Sequence, residues 1–104
     1  MSIAVALEDL SAEVQRRGFG YLLTVGDDGR PHVVALIPTV VGRALHFDAG
    51  GRTCRNVEAR TGVCVVFPPT GDDDFSLVVD GEARVDGTSV AVTPTWAVRH
   101  RPAP

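Results

Sequence analysis

The sequence predicts a small, mainly β domain, with six antiparallel strands closing into a barrel, one helix ahead of them and one short helix inserted midway. Three observations lead there. After Gly18 the chain breaks into short β-branched runs punctuated by Gly, Asp and Pro. Apart from one short charged interruption, neighbouring runs show no helical crossover, which favours an antiparallel barrel over a parallel sheet. Ahead of them a single stretch carries apolar residues at helical spacing.

Taken in order, Ile3, Leu7, Leu10 and Val14 mark the apolar stripe of an N-terminal helix, with Glu8, Asp9, Glu13 and Gln15 on its other faces. Arg16 and Arg17 suit the negative end of that helix, and Gly18 is placed to stop it. Strands are expected at Gly20–Val25, His32–Val41, Ala44–Asp48, Val63–Phe67, Phe75–Val85 and Val90–Val98. Gly26-Asp27-Asp28-Gly29, Val41-Gly42-Arg43 and Asp86-Gly87-Thr88 read as tight hairpin turns. Arg52–Arg60 is too charged for a strand and reads as the short helix, with Thr53 as its N-cap and Val57 toward the core.

The composition bounds the function. A chain of 104 residues, 44% hydrophobic and 22% charged, makes one ordered domain, 1–104. A net charge of −3 removes the electrostatic case for nucleic acid. The apolar run Val33–Val41 is about half the length of a membrane span, and Glu8 and Asp9 are foreign to a secretory signal, so a soluble cytoplasmic protein is expected. Cys54 and Cys64 are the only cysteines, in no metal-ligand spacing; two reduced thiols in or near the core are expected, and no metal. Asp72-Asp73-Asp74, after Pro68-Pro69-Thr70-Gly71, reads as a solvated loop tip, since calcium loops alternate their ligands. There is no lysine, so any bound anion falls to the ten arginines or to backbone N–H groups.

Strand patterning bears on association. Along Phe75–Val85, Phe75, Leu77, Val79, Ala83 and Val85 face one way, and Ser76, Asp80, Glu82 and Arg84 the other. Val33–Ile37 and Val63–Phe67 are apolar at consecutive positions, so both faces want cover. The N-terminal helix can cover one such strand but hardly two; a second copy of the chain is the economical cover.

No catalytic triad, phosphate loop or dinucleotide loop is present; Gly18-Phe19-Gly20 follows a helix and opens a strand, the reverse of the required order. His32, His46 and His100 accompany no nucleophile motif, so catalytic residues stay unassigned. Gly50-Gly51-Arg52-Thr53-Cys54-Arg55-Asn56 stands out. Two glycines lead into a helix start whose free N–H groups favour an anion, and Arg52, Thr53, Arg55 and Asn56 add donors. The competing reading is a capped surface helix.

Together, the order of elements and the segments Gly20–Val25, Asp28–Val34, Leu45–Asp48, Arg52–Asn56, Val63–Phe67 and Ser76–Gly81 resemble the pyridoxamine 5′-phosphate oxidase-like split-barrel family, and within it the short flavin- or deazaflavin-dependent oxidoreductases. The resemblance spans Gly18 to Pro102. It implies a six-stranded antiparallel split β-barrel, one FMN-binding-type domain, acting as a homodimer with a flavin-type cofactor in a groove between subunits. The cofactor would be FMN or the deazaflavin coenzyme, its phosphate on Arg52, Thr53, Arg55 and Asn56. Its ring would lie along the second strand against Pro31, His32, Val33 and Val34, with Thr24 nearby; His32 either lines the ring edge or is a packed strand residue. The expected activity is oxidation–reduction of a small molecule, with non-catalytic flavin or haem binding and storage as the alternative. Two features depart from the pattern: Arg55 stands where lysine is frequent, and the sequence after Pro102 lacks the longer segment that pyridoxamine phosphate oxidases use on their substrate, so pyridoxal phosphate synthesis is not expected.

Overall fold

The edges of the sheet define the architecture. A computed structural model describes residues 1–72 and 74–104. Its strands are β1 (Ser2–Ala4), β2 (Gly20–Val25), β3 (Pro31–Leu36), β4 (Thr39–Val41), β5 (Ala44–Asp48), β6 (Gly62–Phe67), β7 (Ser76–Asp86) and β8 (Ser89–His100). The helices are α1 (Leu10–Arg17), led in by a 3₁₀ turn at Leu7–Asp9, and α2 (Gly51–Ala59). All pairings are antiparallel and run β3-β2-β6-β7-β8-β5-β4, with β1 added on β8. β3 and β4 lie at opposite ends of that order, yet only Ile37-Pro38 separates them in sequence. The sheet therefore curls into a half-barrel whose two edges meet at Pro38.

The mainly β split barrel with two helices is as the sequence predicts, and the strand count differs for two local reasons. The expected strand His32–Val41 is divided at Ile37-Pro38, because proline brings no N–H to the ladder and restricts the residue before it. Ile3, assigned from spacing to the N-terminal helix, lies instead in β1, paired with Arg99 of β8. Pairing of β1 along the β8 edge overrides the helical period there, and the helix keeps only Leu10 and Val14 of its stripe as fully buried residues. Thr53 does not cap α2: Gly50 is the N-cap, and Thr53 lies inside the first turn, buried. The three expected turns form, with Gly29, Gly42 and Gly87 at φ of 77°, 60° and 64°.

The core is the concave side of the sheet, filled by Leu22, Leu45, Phe47, Val65, Phe67, Leu77, Val79, Val90 and Val92, with Val14 entering from α1 and Val57 from α2. Gly20 permits this packing, since a Cβ there would stand 2.8 Å from the Phe67 ring. The convex face is less covered. Val33 is 50% exposed, and Tyr21 and Val25 beside it on β2 are also exposed. On β6, Cys64 and Val66 are half-buried. α1 thus leaves the outer side of both doubly apolar strands open.

The acidic run is not simply a solvated tip. Asp74 accepts hydrogen bonds from the Thr70 backbone N–H (3.0 Å), the Thr70 hydroxyl (2.8 Å) and Arg16 (3.1 Å), which fastens the loop to α1. Arg16 and these Thr70 groups hold its carboxyl far below the usual carboxylate range. Asp72 is exposed as expected, and Asp73 lies outside the described residues.

Candidate functional site

Two adjoining depressions lie where β2 runs into its hairpin. The first is a cradle of about 280 Å³ between Gly26, Asp27 and Asp28 of the β2–β3 turn and Arg52, Arg55 and Asn56 of α2. α2 reaches it because Thr53, Asn56 and Val57 are buried inward, leaving Arg52 and Arg55 on the outer side of the first two turns. Asn56 is held from behind, its Nδ2 donating to the Thr24 hydroxyl at 3.1 Å, with both residues buried. Gly51 lets the Arg55 guanidinium lie close to the backbone, since a Cβ there would stand 3.2 Å from one of its nitrogens and displace it slightly.

The charge in the cradle is positive despite two acids. Asp27 is taken by Arg60, whose Nη2 lies 2.7 Å away and whose Nε donates to the Val25 carbonyl at 2.9 Å. Asp28 Oδ1 accepts from the Arg30 backbone N–H at 3.0 Å and so is committed to the turn. Arg52 and Arg55 have no ion-pair partner among the described residues. Two free guanidinium groups over a helix start, with backbone N–H groups beneath, form a donor set suited to a phosphate.

The second depression is an open groove of about 490 Å³ on the convex face, lined by Leu23, Val25 and Pro31 on one side and Cys64, Asp80 and Glu82 on the other. Thr24 and Val25 border it, and the next residue, Gly26, borders the cradle, so the two are continuous along the chain. Cys64 faces Asp80 across the β6–β7 pairing. Burial first, then the charge and hydrogen bonding of Asp80, push its thiol up to about 11, so at neutral pH it is a protonated thiol and not a nucleophile.

The structure brings Arg52, Arg55 and Asn56 together, with Thr24 directly behind them. Thr53 is buried and does not line the cradle. Strand alternation separates the remaining three: Val33 is exposed on the convex face, whereas Val34 packs against the core and His32 stands beside Thr24 in the β2–β3 register. The hairpin wall, the Arg60 clamp and the groove side formed by Cys64 and Asp80 were not assigned to a site from sequence. The alternation that sets Asp80 opposite the core face of β7, beside a doubly apolar β6, carried a signal for the last of these.

No family model matches the chain. Uncharacterized proteins of Mycobacterium bovis and Mycobacterium tuberculosis are each 34% identical to it, over 95% of this chain and 82% of theirs. A Clostridium acetobutylicum protein of the pyridoxine phosphate oxidase family superposes with a TM-score of 0.70 at 15% identity, covering 93% of this chain and 91% of that one. The chain has the split-barrel fold of the pyridoxamine 5′-phosphate oxidase-like proteins. Two further split barrels share its fold. The FAD-binding protein of Mycobacterium smegmatis aligns at 22% identity and TM-score 0.69 over 97% of this chain and all of its own. An F420 reductase aligns at 19% and 0.70 over 84% of this chain and 94% of its own. At these identities the shared property is the fold.

Proposed function

We propose that this split barrel is a flavin-type oxidoreductase of a small-molecule substrate, binding FMN or the deazaflavin coenzyme as a homodimer. The observation that supports the reading is that an arginine cradle and a largely apolar groove are lined by consecutive residues, Gly26 and Val25, so an anionic group and a flat ring of one ligand could take one each. In this reading Arg52, Arg55 and Asn56 hold the phosphate, and Thr24 fixes Asn56. Pro31 and Val33 bear on the ring, with His32 and Val34 supporting β3 from behind. Thr53 contributes through the helix start and not through its buried hydroxyl. A bound flavin supplies the electron or hydride transfer; the chain binds, orients and excludes water. The names of the F420 reductase and FAD-binding neighbours support a ligand of this class.

The homodimer is supported by the open convex face. Burying Val33, Tyr21, Val25 and their neighbours against a second copy contributes about 25 cal/mol per Å² of apolar area. Two free cysteines suit a reducing cytoplasm, and among the described residues no helix is long and apolar enough to cross a membrane. A second reading, flavin or haem binding and storage without turnover, is favoured by one observation: the groove offers a protonated thiol and carboxylates but no histidine among its lining residues.

The test is titration of the chain with FMN and with the deazaflavin coenzyme, read as cofactor fluorescence. Arg55→Ala is expected to weaken binding about ten- to a hundredfold, the loss of a charge-assisted phosphate contact, and Arg43→Ala at a distant hairpin to leave it unchanged. Equal effects, or none, would reduce the cradle to a surface helix. Light scattering decides the dimer: a monomer near 11.0 kDa overturns it. Reduced cofactor on the protein, offered quinones, nitro-compounds and enones, distinguishes turnover from storage by whether any acceptor reoxidises it faster than free cofactor.

A further inference from the structure

The groove on the convex face carries two carboxylates, Asp80 and Glu82, among largely apolar neighbours. Asp80 on β7 is exposed in the groove, across from Cys64 of β6 on one side and Trp96 of β8 on the other. It has no cationic partner among the described residues. The other groove carboxylate, Glu82, already accepts the Thr61 hydroxyl at 2.6 Å. The Cys64 thiol, pushed up to about 11, adds no charge.

The backbone fixes where Asp80 stands. The β7–β8 register shifts between Asp80 and Gly81, leaving Thr95 as an extra residue on β8, and the Thr95 hydroxyl donates to the Asp80 carbonyl at 3.2 Å. Gly81 makes the bulge possible, because a Cβ there would stand 2.7 Å from the Thr93 carbonyl oxygen. The bulge leaves Thr95 and Trp96 both exposed on β8 beside Asp80, which the plain alternation of β7 already directs away from the core. Whatever covers the surrounding apolar face also takes water from Asp80, and the neutral Cys64 thiol, a weak donor, leaves that charge uncompensated, which is strongly unfavourable. The covering layer must therefore bring a donor to this point.

We propose that Asp80 is the specificity-determining acceptor of the groove, and that the small molecule taken there is a planar apolar one bearing a positive charge or an N–H donor. This rests on the reading of the convex face as the binding face, and not on which cofactor occupies the cradle. Trp96, 54% exposed beside Asp80, supplies an aromatic surface for the same class of ligand.

Trp96 is the only tryptophan and, as the β8 partner of Asp80, reports on a ligand held at that carboxylate. The full chain is titrated with N-methylquinolinium and with 1-methylnaphthalene, two bicycles of one shape that differ in charge, and Trp96 fluorescence is followed. The cation is expected to bind about tenfold tighter, the size of one charge-assisted contact. Asp80→Asn is expected to bring the ratio near one by weakening the cation only. Asp80→Glu is expected to keep the preference, and Asp86→Asn, the same charge change at the far hairpin, to leave it intact. A wild-type ratio near one overturns the proposal however Asp80→Asn folds. So does an unchanged ratio in Asp80→Asn, or loss of dimer in Asp80→Asn without any cation preference in the wild type, which would mean that the second copy supplies the donor. FMN titration in parallel separates the two readings: cation preference without FMN binding refutes only the flavin reading, and the converse refutes only this one.

Discussion

Replacing Glu13 by glutamine keeps the shape of a buried side chain and removes its charge, and the surrounding arginines make the cost calculable. The Glu13 side chain is 8% exposed; its Oε1 accepts from Arg99 Nε at 2.7 Å, and its Oε2 lies 3.3 Å from Arg16 and 3.6 Å from Arg17. Arg16 and Arg99 are 45% and 44% exposed, so solvent screens most of their share, which is under about 1 kcal/mol each. Arg17 is different, with a side chain that is fully buried. It donates to the Phe75 carbonyl at 2.6 Å and the Pro68 carbonyl at 3.3 Å, while its Nε has no partner. Its countercharges are Glu13 and, at 3.5 Å, Asp74. Removing one of two countercharges from a buried cation costs part of the 3–5 kcal/mol seen when a buried pair is broken, or about 2–3 kcal/mol in all. For a domain of this size that lowers Tm by roughly 10–20 °C at neutral pH.

Acid supplies the control. Burial raises the Glu13 carboxyl, but hydrogen bonds from Arg99 and Arg16 and the charges of Arg99 and Arg17 outweigh it and hold it below its ordinary value. A carboxylate depressed in the folded state stabilises above its unfolded pKa and loses that contribution as pH falls through the folded one, roughly from pH 5 downward. The gap between wild type and Glu13→Gln should therefore narrow in acid, followed by circular dichroism melts across that range. If the cost is a stranded Arg17, Arg17→Met should be cheaper in the Glu13→Gln background than alone. A Glu13→Gln melt within about 2 °C of wild type, or a gap that persists in acid, would refute the account.

Three other substitutions test the site's framework. Gly81→Ala drives a Cβ onto Thr93 and Val92, each 2.7 Å away, and should cost about 1–3 kcal/mol by urea unfolding while shifting the Trp96 emission beside it. Asn56→Ala leaves the buried Thr24 hydroxyl without its partner and should cost about 1–3 kcal/mol of stability as well as FMN affinity, read by melts and cofactor titration. Gly51→Ala should leave Tm unchanged or slightly raised, since alanine favours the helix, yet lower FMN affinity by displacing Arg55 from its 3.2 Å approach. Loss of both properties together would show that Gly51 serves the fold and not the cradle.

Most of the fold was legible because its signals are local. β2 and β5 have the expected limits, since alternation and glycine turns define them without reference to the rest of the chain. The misreadings occurred where a distant partner decides. Ile3 follows β8 instead of the helical period, and the Asp74 carboxylate is fixed by Arg16, 58 residues away in sequence. The division at Ile37-Pro38 was visible as a proline but not as the seam of the barrel, because that meaning exists only once β3 and β4 are opposite edges of one sheet.

The site was legible in the same proportion. One segment of chain, Arg52–Asn56, marked one wall of the cradle through residue type alone. Its opposite wall is a hairpin whose acids would have argued against an anion; Arg60 and the turn backbone neutralise that objection only in three dimensions. The groove is a matter of register, for Leu23, Cys64 and Asp80 meet because β2 pairs β6 and β6 pairs β7 at those positions. A one-residue slip of the β6–β7 ladder would turn Asp80 into the core and Val79 out to solvent, so the register that holds Asp80 outward is fixed by the same pairing that builds the core.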